Sequence, residues 1–176
     1  YAAAQPGDPA EVASLLRRQL PQIADRLKAT LDKLQSPQGD DSEALDAVEW
    51  WRRLQDRYAH ARIDWQGGAP AGQRIPKALF DSVAENLLQN ALAKRQREPG
   101  LCIAVTFDAA GLCVADNGSA VTPDLLPLLL REPVASEDGL GIGLYHAARQ
   151  AAELGYRLVL AENRPGRVAF SLSPTI

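Results

Sequence analysis

Glu85-Asn86-Leu87-Leu88-Gln89-Asn90-Ala91 lies inside a pattern that runs from about Lys77 to Gln96 and stops before Pro99-Gly100. That pattern predicts one long helix. Asn is a weak helix former, so two of them in one helix need a reason. Asn86 and Asn90 are four residues apart, which places their amides on one face, a turn from each other, with Glu85 beside them. Two readings stand at this point. The amides either hydrogen-bond within a polar groove, or they offer neutral oxygens beside phosphates to Mg²⁺, which takes few protein ligands and keeps waters and phosphate oxygens.

The flanking segments set the fold class. Downstream, Leu101–Phe107 and Gly111–Ala115 are β-rich runs closed around Asp108-Ala109-Ala110, a hairpin. Residues 119–138 read as loop or broken helix, and 142–154 as a helix ended by Gly155. Tyr156–Glu162 and Arg167–Leu172 form a second hairpin about Asn163-Arg164-Pro165-Gly166. Upstream, Ser42-Glu43-Ala44-Leu45 opens a helix running to about Ala59, with Leu45, Val48, Trp51 (or Trp50), Leu54 and Tyr58 inward. Ala61–Trp65 alternates as a strand, followed by the loop Gly67-Gly68-Ala69-Pro70. Helices alternating with paired strands predict an α+β fold, a two-layer sandwich with the helices on one face of a sheet, rather than a doubly wound parallel fold.

Two more segments carry candidate chemistry. Val114-Ala115-Asp116-Asn117-Gly118 is a strand ending in a carboxylate and a glycine turn. Such a carboxylate accepts a hydrogen bond from an exocyclic amine, and Gly118 lets backbone pass close to a flat ligand. Taken alone, the segment is equally an Asx turn. Gly139-Leu140-Gly141-Ile142-Gly143-Leu144-Tyr145 enters a helix. Alternate glycines free N–H groups to face an anion, and the helix N-terminus adds partial positive charge, an arrangement suited to a polyphosphate. It is not the dinucleotide fingerprint, because Leu stands at 144 where Gly is needed, and GK[ST] is absent.

The 176 residues carry 19 Lys+Arg against 22 Asp+Glu, a net charge of −3, with the basic residues scattered. Nucleic-acid binding is not expected. No apolar run is long enough to span a bilayer, and no charged-then-apolar leader opens the chain. Cys102 and Cys113 have no metal-site spacing and are expected to be buried, reduced thiols. Asp8-Pro9-Ala10-Glu11 starts a helix with Asp as N-cap, and Val12, Leu16, Leu20, Ile23, Leu27, Leu31 and Leu34 form a narrow stripe that seeks another helix. Pro21 should kink it. The breaker cluster Ser36-Pro37-Gln38-Gly39-Asp40-Asp41 divides an appendage, 1–38, from a domain, 42–176. With Tyr1 first and no Met anywhere, the chain is expected to be a piece of a longer one.

Taken in order, Glu85-Asn86-x-x-x-Asn90-Ala91, Asp116-x-Gly118 and Gly139-x-Gly141-x-Gly143-Leu144 resemble the catalytic, ATP-binding domain of bacterial sensor histidine kinases. That domain has a Bergerat-type fold and belongs to the GHKL superfamily. The resemblance covers about residues 42–176. It implies Asn90 as a Mg²⁺ ligand, with Asn86 near metal and phosphates and Glu85 as the acidic, catalytic member of the box. Asp116 would read the adenine, with Gly118 in the floor beneath it. Gly139, Leu140, Gly141, Ile142, Gly143 and Leu144 would line the nucleotide and its phosphates; Lys94, itself a departure from the family's pattern, is still expected to reach a phosphate. The helix of residues 9–35 would be the second helix of a dimerisation and phosphotransfer hairpin whose acceptor His lies upstream. ATP, Mg²⁺, a response-regulator receiver domain and a second copy of the chain are the implied partners. The implied location is the cytoplasmic portion of an inner-membrane sensor, joined to the membrane only through upstream segments.

The chain departs from the family where a basic and then an aromatic residue usually follow Asn90-Ala91. Here Ala93 and Lys94 stand, and Ala120 replaces a second glycine of the first glycine box. The lid keeps only Leu128-Leu129-Leu130-Arg131-Glu132-Pro133, so weak nucleotide affinity is expected. Neither His60 nor His146 is followed by the acidic residue of an acceptor box; both are expected to cap, pack or face solvent. Two other functions share these boxes: a serine kinase of the anti-sigma class, and a non-catalytic module whose pocket holds a partner.

Overall fold

Asp46 is the residue that releases the chain from strand into helix. Its backbone is extended, and its Oδ1 accepts from the amides of Val48 (2.9 Å) and Glu49 (3.2 Å). This N-cap, worth about 1 kcal/mol, separates β1 (Ala44–Asp46) from α1 (Ala47–Arg57). The computed structural model describes residues 44–132 and 140–175, all within the unit Asp41–Ile176. The expected helix of residues 9–35, the linker after it and Gly139 lie outside the described residues.

The cap corrects the expected start of α1 at Ser42–Leu45. Residues 44–46 instead pair antiparallel with β3 (Arg74–Pro76), Leu45 opposite Ile75. With the helix starting at Ala47, its inward stripe becomes Ala47, Trp50, Trp51 and Leu54, spaced as i, i+3, i+4 and i+7. Val48, expected inward, is 46% exposed, and both tryptophans are buried.

The main sheet has the order β2-β4-β5-β7-β6, from β2 (Ile63–Gly67), β4 (Ile103–Asp108), β5 (Gly111–Asp116), β6 (Tyr156–Arg164) and β7 (Arg167–Pro174). Both expected hairpins form, β4–β5 and β6–β7, and β5 pairs antiparallel with β7. Among the described strands only β2 and β4 run parallel. A parallel pair needs a crossover, and α2 (Lys77–Arg97), the expected long helix, supplies it.

Alternation decides which sheet face is covered. Ile103, Val105 and Phe107 of β4 and Leu112 and Val114 of β5 are buried, while their neighbours are less so. The helices pack on that face, with α3 (Leu140–Glu153) between α2 and β6. The result is the α+β two-layer arrangement, with a mixed sheet. Cys113 takes the other parity on β5 and is only partly buried, and Cys102 precedes β4 and is exposed, which corrects the expectation of two buried thiols. Burial still pushes the Cys113 thiol above its ordinary range. Among the described residues no helix is long and apolar enough to cross a membrane.

The two ends of the β4–β5 hairpin differ. At its closed end, Phe107 meets the ring of Trp50 at 5.4 Å and that of Phe80 at 5.7 Å. Trp51 stands edge-on to Trp65, and Phe80 edge-on to Tyr156. At the open end Ile103 pairs with Asp116, and there helix and sheet separate into a cleft.

Candidate functional site

The cleft has a volume of about 490 Å³ and lies between the C-terminal half of α2 and the sheet. From α2 come Leu87, Asn90, Ala91 and Lys94; from β5, Val114 and Asp116; from β7, Val168 and Phe170. Leu144 of α3 closes one side, buried except for 3% of its surface. Residues of the segment 119–129, including Leu125 and Leu129, cover another. Apolar walls with a few convergent polar groups are the usual make-up of a small-molecule site.

Asp116 is the last residue of β5. Its Oδ1 accepts the backbone N–H of Gly118 at 2.9 Å, so the Asx turn is present, and it also accepts the Lys94 ammonium at 2.7 Å. Lys94 donates as well to the Ser119 carbonyl at 2.5 Å. The Lys94 ammonium, expected to reach a phosphate, is here directed to Asp116 and Ser119. Its place near the C-terminal end of α2 puts the ammonium over the end of β5, where the Asp116 carboxylate draws it in.

The three boxes are brought together unevenly. Asn90, Lys94, Asp116 and Leu144 share the cleft. Asn86 uses its Nδ2 to donate to the Ser82 carbonyl at 2.7 Å, one turn back on its own helix. A Cβ added to Gly143 would lie 2.0 Å from Asn86 Oδ1, so the glycine is what lets α3 approach the Asn-bearing face of α2. Gly141 and Gly143 are not in a loop: α3 begins at Leu140, earlier than expected, and takes Leu140, Gly141 and Ile142 into its first turn. Gly118 does not line the cleft; a Cβ there would meet Leu101 at 2.6 Å and Lys94 at 2.8 Å, so it serves close packing of the chain on itself. Glu85 accepts from Gln89 at 3.0 Å and lies outside the cleft lining. The Tyr58 hydroxyl is pushed above its ordinary range, first by burial and then by the Glu85 charge.

Asn90 lines the cleft, and among the described residues no protein group hydrogen-bonds its side chain. A neutral carbonyl oxygen left open in this way fits a magnesium ion whose other ligands are phosphate oxygens and water. Among the described residues no group of three or more His, Cys, Asp or Glu is placed to hold a metal alone.

Two residues that anchor the covering segment were not singled out for the site by the sequence. Asn163 accepts from the Val121 N–H at 2.8 Å and donates to the Val121 carbonyl at 3.0 Å, so the end of β6 clamps the root of the segment. Glu98 accepts from the Ser119 N–H at 2.9 Å and from its hydroxyl. These bonds, the hydroxyl's first, hold its carboxyl below the usual range. His146 is exposed on α3 with its ring 5.4 Å from that of Tyr145, and His60 follows α1 at the surface.

No family model matches the chain. Among curated proteins, the sensor protein LytS of Bacillus subtilis (strain 168) is 36% identical over 74 residues, 41% of this chain and 12% of LytS. The chain thus matches only a small part of that relative's length. Among solved structures, full-length ShkA in complex with AMPPNP superposes with a TM-score of 0.65 at 18% identity, over 98% of this chain and 40% of ShkA. The nucleotide-free catalytic domain of the histidine kinase ThkA gives 0.55 at 18% identity, over 75% of this chain and 94% of that domain. The fold is that of the catalytic domain of sensor histidine kinases. In sequence, the chain is similar to part of the sensor protein LytS.

Proposed function

We propose that this chain is the ATP-binding catalytic portion of a sensor histidine kinase and that the cleft between α2 and the sheet holds Mg-ATP. The observation that carries the proposal is the juxtaposition, in one apolar cleft, of the Asp116 carboxylate and the open Asn90 amide. The ShkA complex with AMPPNP supports a nucleotide in a domain of this fold.

Asp116 accepts from the adenine amine, and Val114, Leu144 and Phe170 shield the base from water. Asn90 would hold the magnesium ion through its open carbonyl oxygen, and Asn86, a turn earlier, would border the phosphates. When bound, that ion neutralises charge on the triphosphate. Gly139, Leu140, Gly141, Ile142 and Gly143 offer backbone N–H groups to the phosphates, and Glu85 is the acidic member of the box. With reactants so positioned, the γ-phosphoryl group passes to a His on an upstream helix and then to an Asp of a response-regulator receiver domain; positioning and charge stabilisation do most of the work. Residues 1–38 supply the second helix of the dimerisation and phosphotransfer hairpin and its linker, and 42–176 the catalytic domain. The parent is a homodimer on the cytoplasmic side of an inner membrane. No observation favours a serine kinase or a non-catalytic module.

Calorimetric titration tests this reading. The chain should bind ATP weakly and more tightly with Mg²⁺ than without. Asn90→Ala should abolish the Mg²⁺ enhancement and leave metal-free binding intact. Sub-micromolar binding contradicts the expected weak affinity, and an unchanged Mg²⁺ enhancement contradicts the role of Asn90. Incubated with labelled ATP, the chain should acquire no stable, acid-labile label, because neither of its histidines is an acceptor.

A further inference from the structure

The carboxylate assigned above to the adenine amine is already half engaged. Its Oδ1 accepts both the Gly118 N–H and the Lys94 ammonium. Among the described residues, Oδ2 accepts no hydrogen bond from the protein. An ammonium has three N–H donors, and Lys94 spends two of them, on Asp116 and on the Ser119 carbonyl. Both side chains line the cleft, and both are largely withdrawn from solvent, 17% and 10% exposed. What they leave for a ligand is one acceptor beside one donor.

We propose that Lys94 is a specificity-determining residue that reads the base jointly with Asp116: Oδ2 accepts from the 6-amino group of adenine while the ammonium donates to ring atom N1. This rests on the ATP-binding reading above. A 6-aminopurine carries that donor and that acceptor on neighbouring atoms of one edge. The pair is held in advance by the Ser119 carbonyl and the Gly118 N–H, so little side-chain freedom is lost on binding. A site built to hydrogen-bond a ligand atom rejects the analogue lacking it, because its buried polar group is then left unpaired.

The test compares ADP with 1-deaza-ADP, in which a C–H replaces N1 and the 6-amino group is kept, by calorimetry on the unaltered chain, Lys94→Met and Lys94→Arg. The unaltered chain should prefer ADP roughly tenfold, as expected for one charged hydrogen bond. Lys94→Met should bring the ratio near one, and Lys94→Arg should restore a preference. Equal binding of the two nucleotides by the unaltered chain overturns the proposal while leaving the ATP reading standing. So does a Lys94→Met protein that binds ADP more tightly with the ratio unchanged, for the ammonium is then only an obstruction. A loss in Lys94→Met that is equal for both ligands and smaller for AMP returns Lys94 to a phosphate role. Should Lys94→Met fail to fold by circular dichroism, the ratios for the unaltered chain and Lys94→Arg decide. If no adenine nucleotide binds at all, the ATP reading falls, and this inference with it.

Discussion

The same two layers, α2 and the β4–β5 hairpin, are packed shut at one end and open at the other. At the closed end, Phe80 near the start of α2 and Phe107 near the hairpin turn interlock with Trp50, all three fully buried. At the open end, Asn90 and Lys94 of α2 and Asp116 of β5 line a cleft of about 490 Å³, with the Lys94 ammonium bonded to the Asp116 carboxylate. A strand rises about 3.3 Å per residue, so six-residue β4 and β5 separate the ends by roughly 15 Å. The aromatic end fixes the spacing of the layers. That leaves the other end free to carry polar groups that would be costly in a packed core.

This contrast breaks most severely at its closed end. Phe107→Ala removes a ring that touches Trp50, Trp51 and Phe80 and should destabilise the domain by about 3–5 kcal/mol in urea unfolding. The affinity of the folded protein for ATP should change little. If affinity falls along with stability, the two ends are not independent.

A smaller change sharpens the open end. Gly143→Ala places a methyl group 2.0 Å from Asn86 Oδ1, so Asn86 or the start of α3 must move. The expected loss is about 1–3 kcal/mol in thermal or urea unfolding, with weaker binding of Mg-ATP. If neither stability nor affinity changes, Asn86 steps aside freely and takes no part in the site.

The sequence made the hairpins, α2 and the end of α3 at Gly155 legible, because alternation, length and breakers are local signals. It did not show the β1–β3 ribbon, whose strands of three residues pair Leu45 with Ile75; such short strands show no period, and nothing local links partners so far apart. That omission placed the start of α1 too early and turned Val48 inward. In the site, the residue types of the boxes were legible, while the partnership between them was not. Lys94 was visible as a departure from the family, but only the packing of α2 over β5 shows that its ammonium meets Asp116. Asn163 read as a turn residue, and its bonds to Val121 depend on a contact that no local pattern encodes.

The central claim is that the open end of the sandwich is a nucleotide site read by Asp116. Titration of Mg-ATP into the chain and into Asp116→Asn, with folding checked by circular dichroism, tests it most directly. A hydrogen bond to a charged group contributes about 1.5–3 kcal/mol, so the substitution should weaken binding at least roughly tenfold while the protein stays folded. An unchanged affinity in the folded variant would contradict the account.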